Sequence, residues 1–146
     1  MNKNFNISYK KILLTILAAS LIVLVACASY PYKVDEVDTF AKCLSEKGVK
    51  YYGAFWCANC AKQNKMLGTS KQYINYIECD PRCTRDENNK LPAYCMGNVG
   101  NPELCIEKKV EKYPDFEFAD DSRLVGVQEF ETLATKTGCV APQKAK

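Results

Sequence analysis

The chain has 146 residues, 47% hydrophobic and 25% charged, which suits one modest globular domain plus a targeting segment. Its net charge of +3 comes from Lys3, Lys10 and Lys11; the remainder carries 17 basic and 17 acidic residues, so there is no nucleic-acid footprint. Nine Cys and no His exclude Cys-His dyads, Ser-His-Asp triads and His-ligated metals, leaving sulfur to carry any redox or metal chemistry and pointing to an oxidising compartment.

Residues 1–11 carry three Lys and no acid, and residues 12–28 are apolar apart from Thr15, Ser20 and Cys27. This is the basic-then-apolar order of a secretory signal. The run of about 17 residues is at the lower edge of what spans a bilayer. It ends in Leu24-Val25-Ala26-Cys27, which resembles the lipobox of bacterial lipoproteins, with Cys27 as the lipidated residue. A lipid anchor, an uncleaved signal anchor and a cleaved signal all remain open. Each exports the rest of the chain, so the expected location is membrane-anchored and facing periplasm, lumen or cell exterior. Residues 29–36 read as a linker, 37–140 as the folded domain and 141–146 as a tail.

Within the exported part, Asp35 to Gly48 reads as a helix, with Val37, Phe40, Ala41 and Leu44 at helical spacing and Gly48 as its stop. Lys50 to Phe55 reads as an aromatic-rich strand. Cys57 to Leu67 reads as a helix closed by Gly68, and Tyr73 to Glu78 as a second strand. Residues 80–102 form a long loop with three Pro, two Gly and two further Cys. Glu103 to Lys112 reads as a short helix and Asp115 to Phe118 as a strand. Asp120-Asp121 is a turn, Arg123 to Val125 the returning strand, and Gln128 to Thr137 the last helix, stopped by Gly138. Strands alternating with helices in this order predict an α/β fold, a mixed sheet flanked by helices.

Trp56-Cys57-Ala58-Asn59-Cys60 sits where the first strand hands over to a helix. A Cys at a helix N-terminus faces the positive end of the dipole and unpaired N–H groups, which favour thiolate. Two intervening residues bring the second sulfur one turn along, within reach of a mixed disulfide at the first. Cys57 is the candidate nucleophile and Cys60 the more buried resolving thiol. The competing reading is zinc. Cys79 and Cys83 would complete a C-x2-C-x18-C-x3-C set of four thiolates. Trp56 after an apolar strand, the helix that follows and the export signal argue for disulfide chemistry, with no metal and no cofactor.

Tyr52 to Cys60, followed by Gln63 to Gly68, resembles the active-site stretch of the thioredoxin-like domain associated with bacterial and plant homologues of vitamin K epoxide reductase. Tyr76-Ile77-Glu78-Cys79, Glu103-Leu104-Cys105 ahead of Tyr113-Pro114, and Gly126 to Phe130 match further segments in order, so the resemblance spans roughly residues 38–138. It implies a thioredoxin-like fold with a four-stranded mixed sheet, and Cys57 and Cys60 as the redox pair. It implies that Pro114 is a cis-proline presenting the backbone of Tyr113 to an extended substrate, beside Trp56. It also implies that Cys79 and Cys105 form a second, structural disulfide.

Two departures stand out. Ala58-Asn59 replaces the group's usual Pro-His, which leaves the oxidising strength open. The loop between Cys79 and Cys105 is longer than usual and holds Cys83 and Cys95, expected to staple this insertion to itself. Cys43 and Cys139 are left over and pair by elimination. The implied activity is thiol–disulfide exchange with thiol-containing protein substrates. The implied partner for reoxidation is a membrane quinone reductase of the vitamin K epoxide reductase type. Alternatives are a reductase or isomerase, or a disulfide-stapled binding lipoprotein in which the Cys57–Cys60 pair is merely structural.

Overall fold

The computed structural model describes residues 30–144. Cys27 and the apolar run before it lie outside them, as do the lipidation and anchor readings. Among the described residues no helix is long and apolar enough to cross a membrane.

From Tyr32 onward the chain forms one compact unit. Helix α1 spans Val34–Glu46 and buries Val37, Phe40, Ala41 and Leu44, the apolar stripe expected of its 3.6-residue period. Strand β1 is Lys50–Gly53, helix α2 is Ala58–Leu67, and β2 is Asn75–Glu78. Helix α3 spans Pro102–Glu107, β3 Asp115–Glu117, β4 Arg123–Val125 and α4 Phe130–Thr137. The strands form one sheet in the order β2-β1-β3-β4. Strands β1 and β2 run parallel, and β3 is antiparallel to both β1 and β4. A four-stranded mixed sheet flanked by helices in this order is a thioredoxin-like fold.

Alternation along β1 sends neighbouring residues to opposite faces. Tyr51 goes to one face, where its ring stacks on Phe116 at 4.8 Å and meets Tyr76 edge-on at 5.0 Å. Its hydroxyl donates to Asn64 Oδ1 of α2 at 3.1 Å. Tyr52 goes to the other face and packs with Cys79, Cys105 and Leu104. Away from the sheet, Phe130 of α4 packs edge-on against Phe40 of α1 and Tyr32, at 5.4 and 5.0 Å.

Several elements are shorter than their sequence patterns indicate. Strand β1 stops at Gly53 because Cys57 N–H turns back to the Ala54 carbonyl at 3.0 Å. A 3₁₀ turn, Gly68–Tyr73, occupies the approach to β2, so that strand starts only at Asn75. Helix α3 ends at Glu107; Lys109 is left-handed and Val110 N–H caps Cys105 O at 2.9 Å, which redirects the chain toward Tyr113. Helix α4 starts at Phe130, after an extended Glu129, and Gln128 just before it donates its N–H to Gln63 Oε1 at 2.7 Å.

The stretches read as linker and tail also join the fold. Tyr32 is buried and pairs with Lys144 as an antiparallel bridge, α1 begins at Val34, and Gln143 N–H donates to Glu36 at 2.8 Å. Composition gave these segments no apolar period, but one buried ring and two backbone contacts suffice to dock them.

Asp115 and Glu117 alternate with Phe116, yet all three are buried. Strand β3 lies inside the sheet, so the face opposite Phe116 must also be covered. The acids are matched there by bases. Lys50 donates to Glu117 at 2.7 Å and Arg123 at 2.6 Å, while Arg123 also grips Asp115. Burial alone would raise the Glu117 carboxyl, but the Lys50 and Arg123 hydrogen bonds outweigh it and hold it down to about 2.

Candidate active site

Cys57 is the N-cap of α2, and its Sγ accepts from Cys60 N–H at 3.0 Å. A sulfur so placed receives one of the free N–H groups at the positive end of the helix. Both thiols are unbridged, with Cys57 7% exposed and Cys60 2%. Tyr113–Pro114 is a cis peptide, and the Tyr113 side chain packs against Ala54, Cys57 and Cys60. The structure therefore brings Cys57, Cys60, Tyr113 and Pro114 together. Trp56 stands at their edge, 57% exposed, with its ring edge-on to Tyr113 at 6.0 Å.

The other six described cysteines are in disulfides. Cys43 pairs with Cys139, tying α1 to the residue beyond the α4 stop. Cys79 pairs with Cys105, tying the end of β2 to α3, and Cys83 pairs with Cys95 inside the long loop. With Cys79 and Cys83 bonded elsewhere, the four-thiolate zinc set does not form. Among the described residues there is no group of three or more Cys, Asp or Glu that could hold a metal.

Burial pushes the Cys60 thiol up to about 12, and its hydrogen bond with Cys57 adds to the shift. At neutral pH Cys60 is a thiol that must shed a proton before it can attack. Two groups missed in the sequence lie close by. The position a side chain on Gly53 would occupy is 3.0 Å from the Tyr76 hydroxyl oxygen and 3.2 Å from Cys60 Sγ. The absence of a side chain at Gly53 thus leaves room for both groups beside it. The Tyr76 hydroxyl donates to Glu78 Oε2 at 2.9 Å, and the fully buried Glu78 also accepts from Asp80 N–H at 3.0 Å. Burial first, then Glu78, raise the Tyr76 phenol far above its ordinary value, so it holds its proton. Lys71 lies over the Tyr76 ring at 4.2 Å.

In the sequence Asp80 is only the first residue of the long loop. Its Oδ2 accepts from Trp56 Nε1 at 2.6 Å. The Arg82 guanidinium forks onto it at 2.9 and 2.8 Å, and these hydrogen bonds hold the Asp80 carboxyl well below the usual carboxylate range. The one signal for this clasp was an acid directly after Cys79 with Arg two residues on.

No family model matches the chain. It is similar to the thiol-disulfide oxidoreductase LTO1 of Arabidopsis thaliana, with 31% identity over 115 residues. The match covers 78% of this chain and 26% of that protein, so the chain spans about a quarter of the length of the curated relative it matches. The similarity supports a thiol–disulfide oxidoreductase of thioredoxin-like type.

Proposed function

We propose that this chain is an extracytoplasmic thiol–disulfide oxidoreductase that exchanges disulfides with protein substrates through Cys57 and Cys60. The observation that carries this reading is the contrast among the described cysteines: six are paired, while two stay free at a helix N-terminus beside a cis X-Pro bond.

In the oxidising direction a substrate thiolate attacks Cys57 Sγ of the Cys57–Cys60 disulfide. That bond breaks, the substrate–Cys57 bond forms, and the electron pair leaves on Cys60, which takes up a proton. A second substrate thiolate then attacks the substrate sulfur and expels Cys57 as thiolate. The substrate dithiol loses two electrons and the Cys57–Cys60 pair gains them. The reverse direction runs the same steps backward, with Cys60 giving up its proton as it attacks. Tyr76, which like Cys60 lies beside Gly53, relays that proton by passing its own to Glu78 as it takes the one from Cys60, and the reverse transfer returns it. Tyr113, beside the dithiol, offers its backbone to an extended substrate chain.

Three disulfides suit an oxidising compartment, and the basic-apolar N-terminus suits export with a lipid or helical anchor. The resemblance over residues 38–138 favours a vitamin K epoxide reductase-like membrane quinone reductase as the partner that reoxidises the pair. Equilibrating the full chain in detergent against glutathione buffers, with thiol trapping and Cys57→Ser as control, tests the reading. A reversible two-electron transition above about −200 mV supports an oxidase, and one near about −270 mV a reductase. The absence of any reversible transition at Cys57 and Cys60 would overturn the exchange reading.

A further inference from the structure

Residues 80–102 leave the sheet beside the dithiol and return to it as a closed, stapled body. Cys79–Cys105 closes the root and Cys83–Cys95 staples the interior. Gly100 N–H donates to Cys83 O and Asn101 N–H to Glu78 O, both at 2.7 Å, and Gly100 bridges to Glu78 in parallel register. Closure is tight enough that a side chain on Gly100 would stand 2.6 Å from the Asp80 carbonyl oxygen.

This body grips the two residues directly before Cys57. Asp80 holds the Trp56 indole, as described above. The Arg82 guanidinium lies over Phe55 at 4.8 Å, and the Tyr94 ring packs on Phe55 at 4.7 Å. Yet Trp56 and Tyr94 stay 57% and 49% exposed. Large side chains held in place but left in water have met much of their ordering cost before any partner arrives, which is how contact anchors work. Trp56 continues the surface on its other side to Tyr113.

We propose that the stapled insertion is the second wall of the substrate site, selecting polypeptides with a large apolar or aromatic side chain next to the reacting cysteine. The inference rests on the exchange reading of Cys57, and that chemistry identifies the occupant. A chain joined to Cys57 lies against Trp56, so its neighbouring side chains meet the Trp56 ring and the Tyr94 ring that packs on Phe55. A folded hydrophilic partner or a small thiol makes no use of these groups.

The test uses the full chain, reduced, and two peptide disulfides as probes. In one the cysteine is flanked by Phe and Leu, and in the other by Ser and Gly. The readout is the ratio of their second-order rate constants, so any general loss of fold or thiol reactivity affects both and cancels. The expected ratio favours the apolar probe by on the order of tenfold. In Tyr94→Ala it falls toward one, and in Tyr94→Phe it is retained. A wild-type ratio near one, or a ratio unchanged in Tyr94→Ala, overturns the proposal. Failure of the wild type to react with either probe overturns the exchange reading itself, and this inference with it.

Discussion

The proton on Cys60 offers the sharpest test of the proposed mechanism. With its thiol pushed up to about 12, only about one Cys60 in 10⁵ is thiolate at pH 7 without help. A positioned acceptor typically accelerates such a step by about 10²–10⁴-fold. Glu78→Gln keeps the size of the side chain and can still accept the Tyr76 hydroxyl hydrogen bond, but its amide cannot take up a proton. Resolution of a mixed disulfide at Cys57 should slow by roughly 10²-fold. Its rate should also climb tenfold per pH unit, because hydroxide then has to remove the proton. The assay loads Cys57 with a peptide disulfide, quenches with acid at intervals, and counts mixed disulfide against closed Cys57–Cys60 by mass. The variant should accumulate mixed disulfide, and Tyr76→Phe should behave alike, since it cuts the same path. A Glu78→Gln protein that resolves at the wild-type rate with the wild-type pH profile refutes the assignment. Loss of the first attack alone would point to damage at Cys57 and leave the relay without support.

Other outcomes follow from the same geometry. The three disulfides close spans of 96, 26 and 12 residues, so replacing each pair with Ala should cost about 4.7, 3.5 and 2.8 kcal/mol by chain entropy. Urea unfolding should rank Cys43–Cys139 first and Cys83–Cys95 last, and the opposite order would show that native-state effects dominate. Glu117 has a folded value near 2, below its unfolded 4.5, so the stability it lends is complete above about 4.5 and is lost as pH falls toward 2. Urea midpoints should fall across that window, and Glu117→Gln should flatten the fall. Asp115, raised because burial outweighs Arg123, acts with the opposite sign and does not account for such a loss. Gly53→Ala would put a methyl 2.8 Å from the Tyr76 ring and 3.2 Å from Cys60 Sγ. It should cost about 1–3 kcal/mol in urea unfolding and slow resolution in the mass assay; an unchanged midpoint would mean that the ring shifts freely.

What the sequence made legible was local. The stripe Val37, Phe40, Ala41 and Leu44 has helical period, and α1 buries those four residues. A strand, a Cys and a helical pattern in succession place Cys57 at a helix start because chain order alone sets that junction. Cysteine pairing is another matter. Eight thiols allow 105 connectivities, so spacing cannot choose among them. A family resemblance and elimination narrow the choice, and the folded geometry is what draws Cys43 to Cys139 across 96 residues.

The remainder was hidden for one physical reason: each hidden group works through a partner far off in sequence or on another face. Glu117 looks like a surface acid in an alternating strand until Lys50, 67 residues earlier, meets it inside the sheet. Glu78 looks like the polar end of β2, and only the fold shows it buried and accepting from the Tyr76 hydroxyl. Asp80 looks like a turn former until the Trp56 indole, 24 residues back, donates to it. The last two acids flank Cys79, a disulfide cysteine, and both reach toward the dithiol from there. The Cys79–Cys105 bond thus fixes the point from which one acid contacts the path to Cys60 and the other orients the aromatic lip over Cys57. A bond placed there for stability also sets the geometry of the chemistry, so opening it should disturb reactivity at Cys57 and Cys60 more than opening Cys43–Cys139 does, even though the latter closes the longer loop.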